Sequence, residues 1–288
     1  MRRSILLLLL LFLASVALGQ DKSSASLSQD QIRDLIRQTA EKDMENDKKQ
    51  KDYTYIQREE EHKLDGKGQV KSTEIKTSEI MELYGDQVER LIAKDDKPLP
   101  DKDAKKEEEK IQKLIEKRKN ESEEDRRKRA EKEEKDREQS RQFVREVADA
   151  YNFTFVGIES FDGRDAYIID GEPRPGYATH LKEAKILPKF RFRAWIDKDE
   201  SQWKKLDIQC IDTVSFGLFL ARLHKGSRIL IEQTRINDEV WLPQHIAVKV
   251  DVRVALLKDF NLEDDITYRD YKKFRTTTKI VSVSEASQ

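Results

Sequence analysis

Ile246, Val248, Val250, Val252 and Val254 alternate with Ala247, Lys249, Asp251 and Arg253. A period of two puts every branched side chain on one face of a strand and every polar one on the other. A one-residue slip would invert both faces, so the register is firmly specified. The same alternation recurs upstream. Phe190, Phe192, Ala194 and Ile196 are set against Lys189, Arg191, Arg193 and Trp195, and Leu206, Ile208 and Cys210 against Lys205, Asp207 and Gln209. Phe153, Phe155 and Gly157 share a parity as well. One apolar and one wet face is the pattern of an antiparallel sheet covered on a single side. Parallel strands would need helical crossovers, and the sequence after Tyr151 offers none. Asp162-Gly163 and Asn237-Asp238 supply hairpin turns. The fold class expected is mainly β with helices, an α+β chain.

Before this region, Ser28 with Gln31 forms a capping box and Leu27 with Ile32 a hydrophobic staple. Ile32, Leu35, Ile36 and Ala40 then recur at helical spacing, predicting a helix over about 29–46 with one stripe to bury. Asp65-Gly66-Lys67-Gly68 predicts a turn between extended runs 53–64 and 69–83.

Residues 101–142 differ in kind: 31 of these 42 positions are charged, 15 acidic and 16 basic. Acid-before-base pairs four apart, such as Glu109/Lys113, Glu124/Lys128 and Glu133/Arg137, favour an exposed helix over disorder. Its apolar ends are Ile111, Leu114 and Ile115 on one side and Phe143, Val144, Val147 and Ala148 on the other. Those ends are expected to dock on the domain while the middle stays in water.

Arg2 and Arg3, the apolar run Ile5–Leu13 and the Ala17-Leu18-Gly19 site form a secretory signal peptide over 1–19. The run is too short to span a bilayer. Residue 20 is Gln rather than Cys, so no lipid anchor is expected. The reading is an exported protein starting near Gln20, with a single domain over 20–288 that carries a charged helical insertion at about 101–150. Net charge is −1, which argues against nucleic acid as a partner. Cys210 is the only cysteine, so no internal disulfide and no disulfide-linked partner is expected. Its parity marks it as a buried, inert thiol.

Catalytic signatures are missing. The four histidines are scattered, no metal-ligand spacing or nucleophile elbow occurs, and neither metal nor cofactor is expected. His180 reads as a surface histidine. Glu263-Asp264-Asp265 reads as a turn cap rather than an acid–base group. Arg164 and Glu159 flank the Asp162-Gly163 turn and are expected to pair across it. Trp195, on a polar parity, is expected to lie under a loop.

Tyr151-x-Phe153, Gly157-x-Glu159, Gly163-Arg164-x-Ala166-Tyr167, Pro173 and Trp195-Ile196-Asp197 form a series that resembles one superfamily. Its members are periplasmic lipoprotein carriers (LolA), outer-membrane lipoprotein receptors (LolB) and the sensor domain of the RseB/MucB envelope-stress regulators. The chain looks most like the exported outer-membrane lipoprotein-sorting proteins, over roughly residues 50–100 and 150–275. The resemblance implies a large, curved antiparallel half-barrel with helices over its concave apolar side and a groove for acyl chains. On that basis the expected function is non-enzymatic binding of a lipid or lipoprotein acyl chain for carriage or sorting in the cell envelope. The expected contacts are Phe190, Phe192, Ile208, Ile246, Val248 and Val250. An envelope-stress sensor that binds a membrane-protein partner is the second reading. Parity alone leaves open whether these side chains line a groove or fill a closed core.

Overall fold

The computed structural model describes residues 26–274 apart from 180, 217–220 and 255–257. The signal peptide expected over 1–19 and His180 therefore lie outside the described residues. The described residues begin with helix α1 (Gln29–Gln50) and strands β1 (Tyr53–Leu64), β2 (Val70–Leu83), β3 (Asp86–Lys94) and β4 (Lys97–Pro98). Helices α2 (Asp101–Lys119) and α3 (Glu123–Ala150) follow, then β5 (Tyr151–Phe161) and β6 (Arg164–Pro173). A 3-10 turn (Glu183–Lys189) leads into β7 (Phe190–Asp197), β8 (Trp203–Cys210), β9 (Val214–Phe216) and β10 (Ala221–Leu223). Strands β11 (Arg228–Ile236), β12 (Val240–Val254) and β13 (Lys258–Lys273) complete the elements of the described residues.

All strands join one open sheet in the order β4-β3-β2-β1-β13-β12-β11-β8-β7-β6-β5, with β9 and β10 attached beside β12. Every pairing is antiparallel. The result is an open half-barrel sheet with helices, antiparallel as the alternation predicts and of the shape that the resemblance implies. Asn237 and Asp238 both adopt positive φ, 51° and 56°, the backbone that a two-residue hairpin turn demands. In β5 the alternation breaks: the register shifts between Phe155 and Gly157. This bulge leaves Val156 and Ile158 exposed, so Gly157 does not continue the parity of Phe153 and Phe155.

Helix α1 is longer than its apolar stripe predicts, and its start is the capping box: Gln31 N–H donates to Ser28 Oγ at 3.3 Å and Ser28 N–H to Gln31 Oε1 at 2.8 Å. Polar side chains tie both ends of α1 to the sheet. Gln29 donates its amide to the Phe153 carbonyl on the β5 edge and accepts the Phe153 N–H at 3.4 Å. Asn46, 5% exposed, donates to the Trp241 carbonyl at 2.7 Å and accepts the Trp241 N–H at 2.8 Å. Helix α1 thus crosses the sheet from β5 to β12. Ile32, Leu35 and Ile36 pack with Ala148 of α3, Tyr151 and Phe153 of β5, Ile169 of β6, Ala194 and Ile196 of β7, and Leu187 of the 3-10 turn.

The charged segment forms two helices, broken at Asn120–Ser122, where Ser122 caps α3 through Asp125 N–H. Both apolar ends dock. Phe143, Val147 and Ala148 join the main core. Ile111, Leu114 and Ile115 pack on Met81, Leu83 and Val88. Met81 alternates with Ile80, which pairs with Tyr55 on the α1 side, so α2 sits on the reverse of the β2–β3 hairpin. The helices therefore do not all cover one face. No helix among the described residues is long and apolar enough to cross a membrane.

Candidate functional site

Cross-strand register assembles the apolar positions into rows on the α1-bearing face. One row runs Phe192, Ile208, Ile229, Val248, Asp264, Glu61 across β7, β8, β11, β12, β13 and β1. The adjacent row runs Ala194, Leu206, Ile231, Ile246, Ile266, Glu59. Val250 and Leu262 begin a third. Ile208, Ile229, Ile231, Ile246, Val248, Val250, Leu262 and Ile266 are only half-buried and belong to none of the packed clusters. They form a continuous apolar strip beside the helix-covered core.

The six expected contact residues divide along this line. Ile208, Ile246, Val248 and Val250 lie in the strip. Phe192 packs its ring on Tyr151 and Phe153, with centroids 4.9 and 6.3 Å away. A Cβ on Gly171, its cross-strand partner, would meet that ring at 2.5 Å. Phe192 is thus the wall where strip meets core. Phe190 stands at the strip's margin opposite Cys210.

The strip ends in carboxylates. Asp264 pairs with Val248 on one side and Glu61 on the other. Its Oδ1 is buried with no hydrogen-bond partner. Burial, then the charges of Glu59, Glu61 and Asp265, push its pKa up to about 6 against the pull of Lys76. Glu61 pairs with Lys63 at 3.0 Å, and Lys76 with Glu74 at 3.2 Å. Glu263-Asp264-Asp265 is thus the middle of β13, not a turn cap. Strand pairing continues through it, and its three side chains alternate between faces. The parity Leu262, Asp264, Ile266, Tyr268 was legible in the sequence as an apolar strand face with one acid set in it, and the consecutive acids obscured it. Beyond Ile266, Tyr268 packs edge-on against Tyr55 at 5.6 Å.

The reverse face is a lattice of ion pairs. Arg193 makes two bonds to Asp170, at 2.6 and 2.8 Å, and Arg228 holds both oxygens of Asp207. Arg191 donates twice to Gln209, at 2.9 and 2.7 Å. A groove of about 560 Å³ lies among these side chains, and each of its cations already has a partner. Trp195 lies here, half-buried with Lys205 Nζ 5.2 Å from its ring, and its indole N–H donates to Glu159 at 3.0 Å. No loop is needed to account for its burial. His245 sits between Glu232 at 3.1 Å and Asp265 at 2.9 Å. Burial opposes its protonation, yet the two carboxylates raise its pKa above the usual value.

Arg164 does not pair with Glu159. It grips Asp197 with two bonds, at 2.6 and 2.7 Å, and lies over the Trp241 ring at 5.9 Å. Asp197 is fully buried and also accepts the N–H groups of Asp199 and Glu200 at 3.1 and 2.9 Å. Burial works against its charge, but the Arg164 bonds and these N–H groups hold its pKa below the usual range. The pair fastens the β5–β6 turn to the β7–β8 turn, a structural task. Cys210 is 1% exposed with its pKa raised by burial, as an inert thiol requires.

Together these elements define an open antiparallel half-barrel with helices and an apolar strip. No family model and no curated protein matches the chain. Among solved structures it is similar to an outer membrane lipoprotein-sorting protein domain from Vibrio parahaemolyticus, with TM-score 0.35 and 11% identity over 84% of this chain and 94% of that one. It is also similar to a LolA superfamily protein from Nitrosomonas europaea, with TM-score 0.27 and 9% identity over 85% and 94%. A third match is MucB in complex with MucA, with TM-score 0.24 and 12% identity over 82% and 93%. These are the groups that the sequence motifs resemble.

Proposed function

We propose that this chain is an exported, periplasmic binding protein that holds the acyl chain of a lipid or lipoprotein against the strip formed by Ile208, Ile229, Ile231, Ile246, Val248 and Val250, for carriage or sorting in the cell envelope. The role is binding, with no bond made or broken. The observation that supports it is a seven-strand-wide apolar face that α1 and α3 cover over β5–β7 and leave half-open over β8–β13. Contiguous apolar surface of this kind marks ligand grooves or interaction sites in water-exposed proteins.

Titration of the purified chain with a polarity-sensitive single-chain probe bearing an uncharged head tests the reading. Saturable binding is expected. Val248→Phe should weaken it by tenfold or more while changing stability by less than about 0.5 kcal/mol, whereas overpacking a closed core would cost ~1–3 kcal/mol. Absence of saturable binding, together with absence of co-purifying lipid in native mass spectrometry, would refute it. Intact mass of the periplasmic protein checks export separately, with a chain beginning at Gln20 as the expected result.

A further inference from the structure

The acidic end of the strip bears on which amphiphile fits. An acyl chain laid along the Phe192–Val248 row meets Asp264 where the apolar side chains stop. Four strand spacings separate Phe192 from Asp264, about 19 Å at roughly 4.8 Å each, a length suited to one extended medium-length chain. The head group of such a chain would lie among Asp264, Glu59 and Glu61. Glu61 is held by Lys63, and Lys76, opposite Glu59 across the β1–β2 pairing, is bonded to Glu74; of the three carboxylates, Asp264 has the buried oxygen without a partner. An unpartnered, desolvated acceptor such as Asp264 Oδ1 is costly as it stands and gains most from a charged donor. A further carboxylate or a phosphate there would meet the like charges of Asp264, Glu59 and Glu61, with Lys76 already bonded to Glu74.

We propose that the strip selects single-chain amphiphiles with an ammonium head, the ammonium seated between Asp264 and Glu59 and the chain running toward Ile208. This rests on the acyl-chain reading and deepens it. The groups that face Asp264 are Glu59 and Glu61 from β1 and Lys76 from β2, β12 contributes only the uncharged Val248, and the charge of Asp265 acts from the opposite face. Seating the ammonium displaces any proton on Asp264. Affinity for the cationic ligand should therefore fall as pH drops below about 6.

Competition against the uncharged probe provides the test, with dodecylammonium, dodecanoate and monolauroyl glycerol each held below its micelle-forming concentration at pH 7.5. Dodecylammonium should displace the probe at a concentration about tenfold lower than dodecanoate, the ratio expected for one charge-assisted contact. Asp264→Asn and Glu59→Gln should each bring that ratio toward one while leaving monolauroyl glycerol unaffected, and Val248→Phe should weaken all three. Equal displacement by ammonium and carboxylate, with Val248→Phe still blocking both, would overturn the head-group assignment and leave the acyl-chain reading standing. Ammonium binding that survives Val248→Phe would place the cation elsewhere on the acidic surface and also overturn it. If no amphiphile displaces the probe and the probe itself does not bind, both readings fall. Displacement by a basic amphipathic peptide alone would replace a lipid with a protein partner.

Discussion

Two halves of one sheet face carry the same alternating pattern and meet different fates. Over β5–β7 the inward residues are sealed: Phe153 is 1% exposed, and Ile169 and Ile196 are fully buried. Over β11–β13 the equivalent residues Ile231, Ile246, Val248 and Ile266 stay half-open. The exception is the end where α1 lands through Asn46, where Val240 and Leu242 are again fully buried. Both halves have branched side chains in matched register. The difference is whether a helix lies on top. Alternation thus selects the face to be covered and says nothing about how much of it is covered.

The sharpest way to break the comparison is to release the clasp at the rim of the sealed half. Arg164→Met strands the buried Asp197 carboxylate and should cost about 3 kcal/mol at pH 7. Because Asp197 has a depressed pKa, its contribution is present above the unfolded value and lost as pH falls through the folded one. The deficit measured by chemical denaturation should therefore close only at pH values below the usual carboxylate range. An unchanged deficit there would mean that the arginine acts through packing on Trp241.

An identical truncation in the two halves sharpens the contrast. Ile196→Ala in the sealed half should cost about 2–5 kcal/mol, including the residual cavity. Ile246→Ala in the open half should cost about 1 kcal/mol, since water reaches the vacated space and the residue loses less burial. Equal losses in urea melts would show that the strip is a closed core.

Asp264→Asn should do the reverse and stabilise. The raised pKa of Asp264 means the folded state holds its proton more tightly than the unfolded chain. Stability therefore falls as pH rises from about 4 to about 6, and the penalty persists above that. With solvent screening, removing the charge should add roughly 1 kcal/mol at pH 8 and little at pH 4. Destabilisation at pH 8 would mean that the carboxylate is satisfied in solution.

The smallest effect belongs to the reverse face. His245 has a raised pKa between Asp265 and Glu232, so its contribution is full below about 6.5 and fades as pH rises through the folded value. His245→Ala should cost a few tenths of a kcal/mol at pH 5.5 and less at pH 8. A cost that grows with pH would reverse the assigned sign.

The position of α1 was legible because its cap is local: Ser28, Gln31 and the Ile32–Ile36 stripe are neighbours in the chain. The acidic end of the strip was not, because Asp264 meets Val248 and Glu61 only through pairing across β12 and β1. Arg164 illustrates the same limit. Glu159 was its nearest acid across the turn, yet Asp197, 33 residues away, has the geometry.

By itself the sequence determined the antiparallel class, the face each strand turns inward, the turn at Asn237-Asp238 and the helical character of the charged segment, since each depends on spacing within a few residues. Tertiary structure alone decided that α2 docks on the reverse of the β2–β3 hairpin, that α1 stops at β12, and that a carboxylate closes the apolar row. Those outcomes depend on which distant strands become neighbours, and cross-strand register brings together residues that no local period relates.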